Sequence, residues 1–199
     1  MKQKLGSALW LGLIWIVTVV GGMIWLTDLS ARPGDPGRPS AEWPSRSTLR
    51  RGTYTVVVSA HPRCPCTHAT LDELAIALSD MPADVVTHVL FTVPEQVDAN
   101  WWRTNTLALA QSIPGVTATI DRGGVETALF GAITSGSIAV YDTAGRLRFA
   151  GGITGARGHA GDNAGRRALV SLLKNGVSPS EAPVFGCPLQ RPTMKASVQ

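Results

Sequence analysis

Residues 53–80 read TYTVVVSAHPRCPCTHATLDELAIALSD. The first eight residues, TYTVVVSA, form a β-branched run with no charge, the pattern of a strand buried on both faces. In the last fourteen, THATLDELAIALSD, Leu71, Leu74, Ala75 and Leu78 recur at helical spacing, and MPAD closes the helix. Between them lies Cys64-Pro65-Cys66. Two cysteines one residue apart therefore sit where a buried strand hands over to a helix.

Downstream the alternation continues. VVTHVLFTV is a second strand. DANWWRTNTLALAQSIPG is a helix with Asp98 or Asn100 as N-cap and Pro114-Gly115 as its stop. VTATID is a short strand and GVETALFGA a short helix. SIAVYDTAGRLRFAGG is a β-hairpin turning at DTAG. DNAGRRALVSLLKNG is a last helix, capped by Asp162 or Asn163 and ended by Gly176. The order β-α-β-α-β-α-β-β-α, parallel units first and an antiparallel hairpin last, predicts a three-layer α/β domain over residues 49–176.

Upstream, Leu5–Thr27 carries no charge, and Ala8–Leu26 alone would rise roughly 28 Å as a helix, about the hydrocarbon thickness. Trp10, Trp15 and Trp25 suit a membrane segment, with Trp15 deeper than an interfacial belt. Lys2 and Lys4 precede the run and nothing acidic does, so the N-terminus is expected on the cytoplasmic side and the rest outside. A cleaved signal peptide is the rival, with LSA at 29–31 as its cleavage site, but its apolar region would be shorter, ~7–15 residues. Residues 1–27 thus read as a cytoplasmic N-terminus and uncleaved signal anchor in the inner membrane. Residues 28–48, rich in Pro, Gly and Ser, read as a linker holding the domain off the membrane, and 177–199 as an irregular tail carrying Cys187.

The sequence pI of 9.3 does not point to nucleic acid. All 14 acidic residues and 16 of the 18 Lys and Arg follow residue 27, leaving the exported part near +2, without a basic stripe. Three cysteines in an exported domain lie where disulfides persist, and an odd number leaves one free, intermolecular or metal-bound.

The cysteine corner supports three readings. A helix N-terminus stabilises a thiolate, which is both the nucleophile of exchange and a metal ligand. His61, Arg63 and His68 add positive or titratable groups, and Pro65 suits the first helical turn. In the redox reading Cys64 attacks. A Cys64–Cys66 bridge joins alpha carbons roughly 5.5–7 Å apart, a strained span. Cys187 in VFGCPL is the other candidate partner. In the metal reading Cys64, Cys66, His61 and His68, with Cys187 as a further donor, hold copper or zinc. In the structural reading a disulfide staples the tail. Trp101, Trp102 and His88 read as packing residues, and no residue before either cysteine suits peroxidase chemistry of the peroxiredoxin type.

On these residues the chain resembles the thioredoxin-fold family, in its exported, membrane-anchored thiol-disulfide branch, and within that branch it is similar to the RedB group. Pro65-Cys66 after a buried strand carries the likeness, as does DRGGVETALFGAITSGSIAVYDTAGRLRFAGG, residues 121–152. The resemblance implies a thioredoxin-like fold and thiol-disulfide oxidoreductase activity on a protein thiol or disulfide, or contact with a membrane complex, without nucleic acid and without a cofactor. It also implies that the loop bearing Gly136 and the glycine-rich loop GGITGARGHAGDNAG, 151–165, flank the corner, bringing Arg157 and His159 near Cys64. There Arg157 would favour a thiolate and His159 would shuttle a proton or bind metal. Two positions depart from the family. Arg63 stands where its attacking cysteine would be, and Gly136 where it has a cis-proline. A redox-inactive scaffold that contacts a membrane complex through its fold is the remaining alternative.

Overall fold

The computed structural model describes residues 2–189, which fall into two units, 2–32 and 33–189. The first is one helix, α1 (Lys2–Ala31), which ends four residues beyond Thr27, where the sequence suggested. Its segment Trp10–Ala31 is long and apolar enough to cross a membrane. Thr18 and Thr27 donate their hydroxyls to the carbonyls of Ile14 and Met23, at 2.8 Å each, so these polar side chains are satisfied within the helix.

The second unit has the elements β1 (Tyr54–Ala60), α2 (Pro65–Leu78), β2 (Val85–Val93), α3 (Ala99–Trp102), α4 (Asn105–Ser112), β3 (Val116–Arg122), α5 (Val125–Leu129), β4 (Ser137–Asp142), β5 (Leu147–Gly151) and α6 (Ala164–Asn175). The sheet order is β3-β2-β1-β4-β5. β1, β2 and β3 are parallel, and β4 runs antiparallel to both β1 and β5. This is the thioredoxin-like architecture, a central mixed sheet closed by a terminal hairpin.

Strand alternation sorts the core into two faces. Val56, Val58, Val89, Phe91, Ile138 and Val140 join Leu71 and Leu74 of α2, Leu107 of α4 and Leu169 and Leu172 of α6 in the larger core. Val57, Leu90, Ala139 and Tyr141 point the other way and meet Phe130, with Trp43 and Leu49 packed against them. The short α5 lies on that second face through Leu129, and residues 33–49 cover much of it.

Residues 33–49, most of them in the stretch read as a linker, are hydrogen-bonded along the domain. Gly34 N donates to Val184 O at 2.7 Å, Trp43 N to Gly145 O at 2.6 Å and Leu147 N to Ala41 O at 2.9 Å. Tyr141 Oη donates to Ser40 O at 2.9 Å, and Trp43 meets Phe130 and Tyr141 edge-on. Proline and glycine here allow an extended chain to follow the sheet, and buried apolar area holds it down. The tail is docked as well: Ala150 N donates to Ser180 O, and Val184, Phe185 and Leu189 are buried. The expected single helix over 98–115 is two. Thr104 interrupts it, accepting from Leu107 N to cap α4 and donating to Pro62 O. Asp98 caps α3 and Asn163 caps α6.

Candidate functional site

Cys64 is the N-cap of α2, with Pro65 at the first helical position, so the corner forms where the sequence placed it. Its amide donates to His61 O at 3.1 Å, closing the turn out of β1. Ser135, fully buried in the loop before β4, accepts from His61 N at 2.9 Å and shares a 2.7 Å hydrogen bond with Thr67. Thr67 also donates to His61 O. These bonds tie the cysteine turn to the 133–136 loop.

The tail meets the same loop. Ser135 N donates to Cys187 O and Leu189 N to Ile133 O, both at 2.8 Å, around an antiparallel bridge between Thr134 and Pro188. This brings Cys187 Sγ to 2.9 Å from Cys64 Sγ. A disulfide bond is ~2.05 Å long, so small side-chain movements would bring the two sulfurs to bonding distance, the bond itself forming when exchange with another disulfide takes up the two electrons. Cys64 is 2% exposed and Cys66 7%, while Cys187 is intermediate.

The three sulfurs are not equivalent. Burial opposes ionisation of Cys64. Hydrogen bonds from the Cys187 thiol and from the backbone amides of Cys187, Thr67 and Cys66 outweigh it and hold the pKa below the ordinary 9.0. Burial, the charge on Cys64 and a hydrogen bond to Cys64 raise Cys66, against the Gly158 amide and the Arg157 charge. Burial, the hydrogen bond to Cys64 and the charges of both other cysteines push Cys187 up to about 12, against Arg157. The trio therefore favours one thiolate, on Cys64, stabilised by protonated neighbours.

The 151–165 loop reaches this cluster, through Arg157 and Gly158. Arg157 Nη1 donates to Gly186 O. His159 is exposed and belongs to a turn whose backbone bridges Ala156, and it is its two preceding neighbours that act on the sulfurs. Gly136 lies beside α2, where a Cβ would stand 2.9 Å from Thr70 Oγ1, and its φ of +90° suits glycine alone. No peptide bond is cis among the described residues.

Three expected neighbours point elsewhere. Arg63 lies over the Trp101 ring at 4.9 Å and donates from Nε to Trp101 O. His61 packs edge-on to Trp101, and burial and then Arg63 lower its pKa. His68 is exposed and pairs with Asp72 one turn on, at 3.1 Å. The four metal-reading residues are thus not gathered. Among the described residues no three His, Cys, Asp or Glu side chains converge as metal ligands.

Glu73 is a site-supporting residue the sequence reading missed. It is 0% exposed, on α2. It accepts from Gly161 N at 2.5 Å, Asn163 Nδ2 at 3.5 Å and Arg166 Nη1 at 2.7 Å. Asn163 also donates to Ile153 O. The carboxylate clasps the Gly161 end of the loop that carries Arg157, and Asn163 ties that end to Ile153. The signal available was Glu73 lying on one helical stripe with Thr70 and Ala77, both small.

No protein-family model matches the chain, and no curated protein does. Solved structures do. A hypothetical protein from Sinorhizobium meliloti 1021 aligns at TM-score 0.58 and 18% identity, covering 80% of this chain and 94% of its own. An uncharacterized conserved protein from Geobacillus kaustophilus aligns at 0.56 and 16%, covering 80% and 92%. A thioredoxin-like superfamily protein aligns at 0.46 and 19%, covering 75% and 99%, a likeness too loose to argue from. The sheet order, with three parallel strands and a closing antiparallel hairpin, is a thioredoxin-like fold; the first two structures share this chain's overall fold over 80% of its length, and the three-cysteine corner is closed by the segment that carries Cys187.

Proposed function

We propose that this is a membrane-anchored thiol-disulfide oxidoreductase in which Cys64 attacks and Cys187 is its partner. The observation that carries the reading is the 2.9 Å approach of Cys187 to a Cys64 sulfur whose surroundings favour the thiolate. The Cys64 thiolate attacks a protein disulfide. A Cys64–substrate bond forms, the substrate disulfide breaks, and the other substrate sulfur leaves as a thiolate. Cys187, once deprotonated, attacks Cys64. The Cys64–Cys187 disulfide forms and the second substrate sulfur leaves, so the substrate gains the two electrons the pair loses. The reverse sequence oxidises a dithiol, and relative potentials set the direction. Cys66, its pKa raised first by burial and then by the charge on Cys64, stays protonated beside it.

The proposed setting is the inner membrane, α1 spanning once with Lys2 and Lys4 inside and the domain facing the periplasm or exterior. The proposed kinship is with exported thiol-disulfide proteins of the RedB type, on residues 121–152. The partner is a protein thiol or disulfide.

The test is intact and peptide mass spectrometry of the full chain in detergent, with and without reductant, on the wild type, Cys64→Ser and Cys187→Ser. One Cys64–Cys187 disulfide, reducible by a dithiol, supports the reading. Thiols that resist oxidation while the protein retains about one equivalent of copper or zinc would replace it with metal handling. A potential below about −300 mV would make the disulfide a staple.

A further inference from the structure

Cys64 cannot meet a substrate while the tail is docked. Its sulfur is buried, and Val184–Leu189 lies over it. The way the tail is held is nonetheless informative. Two of its main-chain groups pair with Ile133 and Ser135, a mode any extended chain can use. Arg157 adds a donor to the Gly186 carbonyl, again a main-chain group. The one side-chain demand beside the sulfur falls on residue 186. A Cβ there would lie 1.8 Å from the Ser135 carbonyl oxygen, which belongs to a buried, hydrogen-bonded residue and cannot yield.

Resting on the redox reading above, we infer that the edge 133–135 is a docking edge for an extended partner segment with glycine immediately before its cysteine, and that Phe185–Leu189 is its built-in competitor. The tail leaves, the partner's Gly-Cys takes its register, and the partner's sulfur arrives where Cys187 was. Attack by the Cys64 thiolate then forms the mixed disulfide and expels the partner's other sulfur. A residue with a side chain before the cysteine is excluded by the same contact that makes residue 186 glycine. The reactivity of Cys64 toward any outside disulfide is scaled by the fraction of molecules whose tail is undocked.

The test uses the full chain in detergent, reduced, with two six-residue probes, Val-Phe-Gly-Cys-Pro-Leu and Val-Phe-Ala-Cys-Pro-Leu. Each carries its cysteine as a mixed disulfide with thionitrobenzoate. Attack joins Cys64 to the peptide sulfur, breaks the mixed disulfide and releases coloured thionitrobenzoate with the electron pair. The glycine probe is expected to react about tenfold faster than the alanine probe, the scale of a lost docked population. Gly186→Ala is expected to speed attack by Cys64 on the small disulfide dithiobis(nitrobenzoate) by about tenfold, because the tail no longer seats. Equal rates for the two probes, with Cys64 reactive, overturn the docking edge and leave the redox reading intact. A Cys64 inert to both probes and to the small disulfide, with or without Gly186→Ala, overturns both.

Discussion

Arg166 of α6 holds Glu73 of α2 at 2.7 Å, and neither side chain has much access to water. The pair joins two helices that lie on the same face of the sheet and fixes the glycine-rich loop between β5 and α6 at its Gly161 end. A carboxylate buried this deeply persists only with a full set of donors. It has three.

Removing the carboxylate takes the closest partner from the half-buried Arg166 guanidinium, leaving it the exposed Asp162 at 3.2 Å, and leaves the Gly161 amide without its acceptor. Glu73→Ala is expected to destabilise the reduced protein by about 3–5 kcal/mol, read from urea unfolding of the full chain in detergent. Glu73→Gln keeps the shape and part of the hydrogen bonding and should cost less. A loss under about 0.5 kcal/mol for Glu73→Ala, the size of an ordinary surface change, would show the clasp to be idle.

Ionisation of Cys64 can be followed by its alkylation rate against pH. The midpoint is expected below 9.0, and Cys187→Ser is expected to raise it by removing a thiol donor and weakening the tail's hold. The linkage has a definite sign. A pKa lower in the folded than in the unfolded state adds stability present above the unfolded value, and that stability fades as pH falls through the folded value. Cys187 and Cys66, raised on folding, add stability that is present below the unfolded value and fades as pH climbs through the folded ones. An alkylation midpoint for Cys64 above that of Cys66 would reverse the assignment of attacker.

Oxidation should stabilise the domain. The two sulfurs are separated by 123 positions, and cross-linking a loop of that size removes about 4–5 kcal/mol of chain entropy from the unfolded state before any native strain. Urea midpoints of oxidised and reduced wild type should differ accordingly, while Cys187→Ser should show no such dependence on reductant.

The second sheet face depends on chain outside the helices. Trp43→Ala is expected to cost about 3 kcal/mol, typical of truncating a large aromatic in a core. Calorimetry of the variant should show a lowered unfolding temperature. An unchanged value would mean residues 33–49 cover the face without stabilising it.

The strand-helix alternation, the sheet's parallel and antiparallel halves and the apolar N-terminal helix were legible in the sequence, because period-2 and period-3.6 burial are local properties. So was the placing of Cys64 and Cys66 at the first turn of α2, since Pro65 and the β-branched run mark it from both sides. The docking of residues 33–49 was not, because Pro-rich chain carries no periodicity, and only a bare sheet face explains why Trp43 settles there. Nor was the choice among sulfurs. Cys187 lies 123 positions from Cys64, and its approach depends on pairing with the 133–135 edge. His61, Arg63 and His68 are close to the cysteines in sequence, yet Trp101 and Asp72 draw them away. Arg157, over ninety positions off, acts on the sulfurs because Glu73 and Arg166 fix its loop. Local pattern determines the elements; which side chains meet at their ends is set by packing between segments far apart in the chain, and only the tertiary structure holds that.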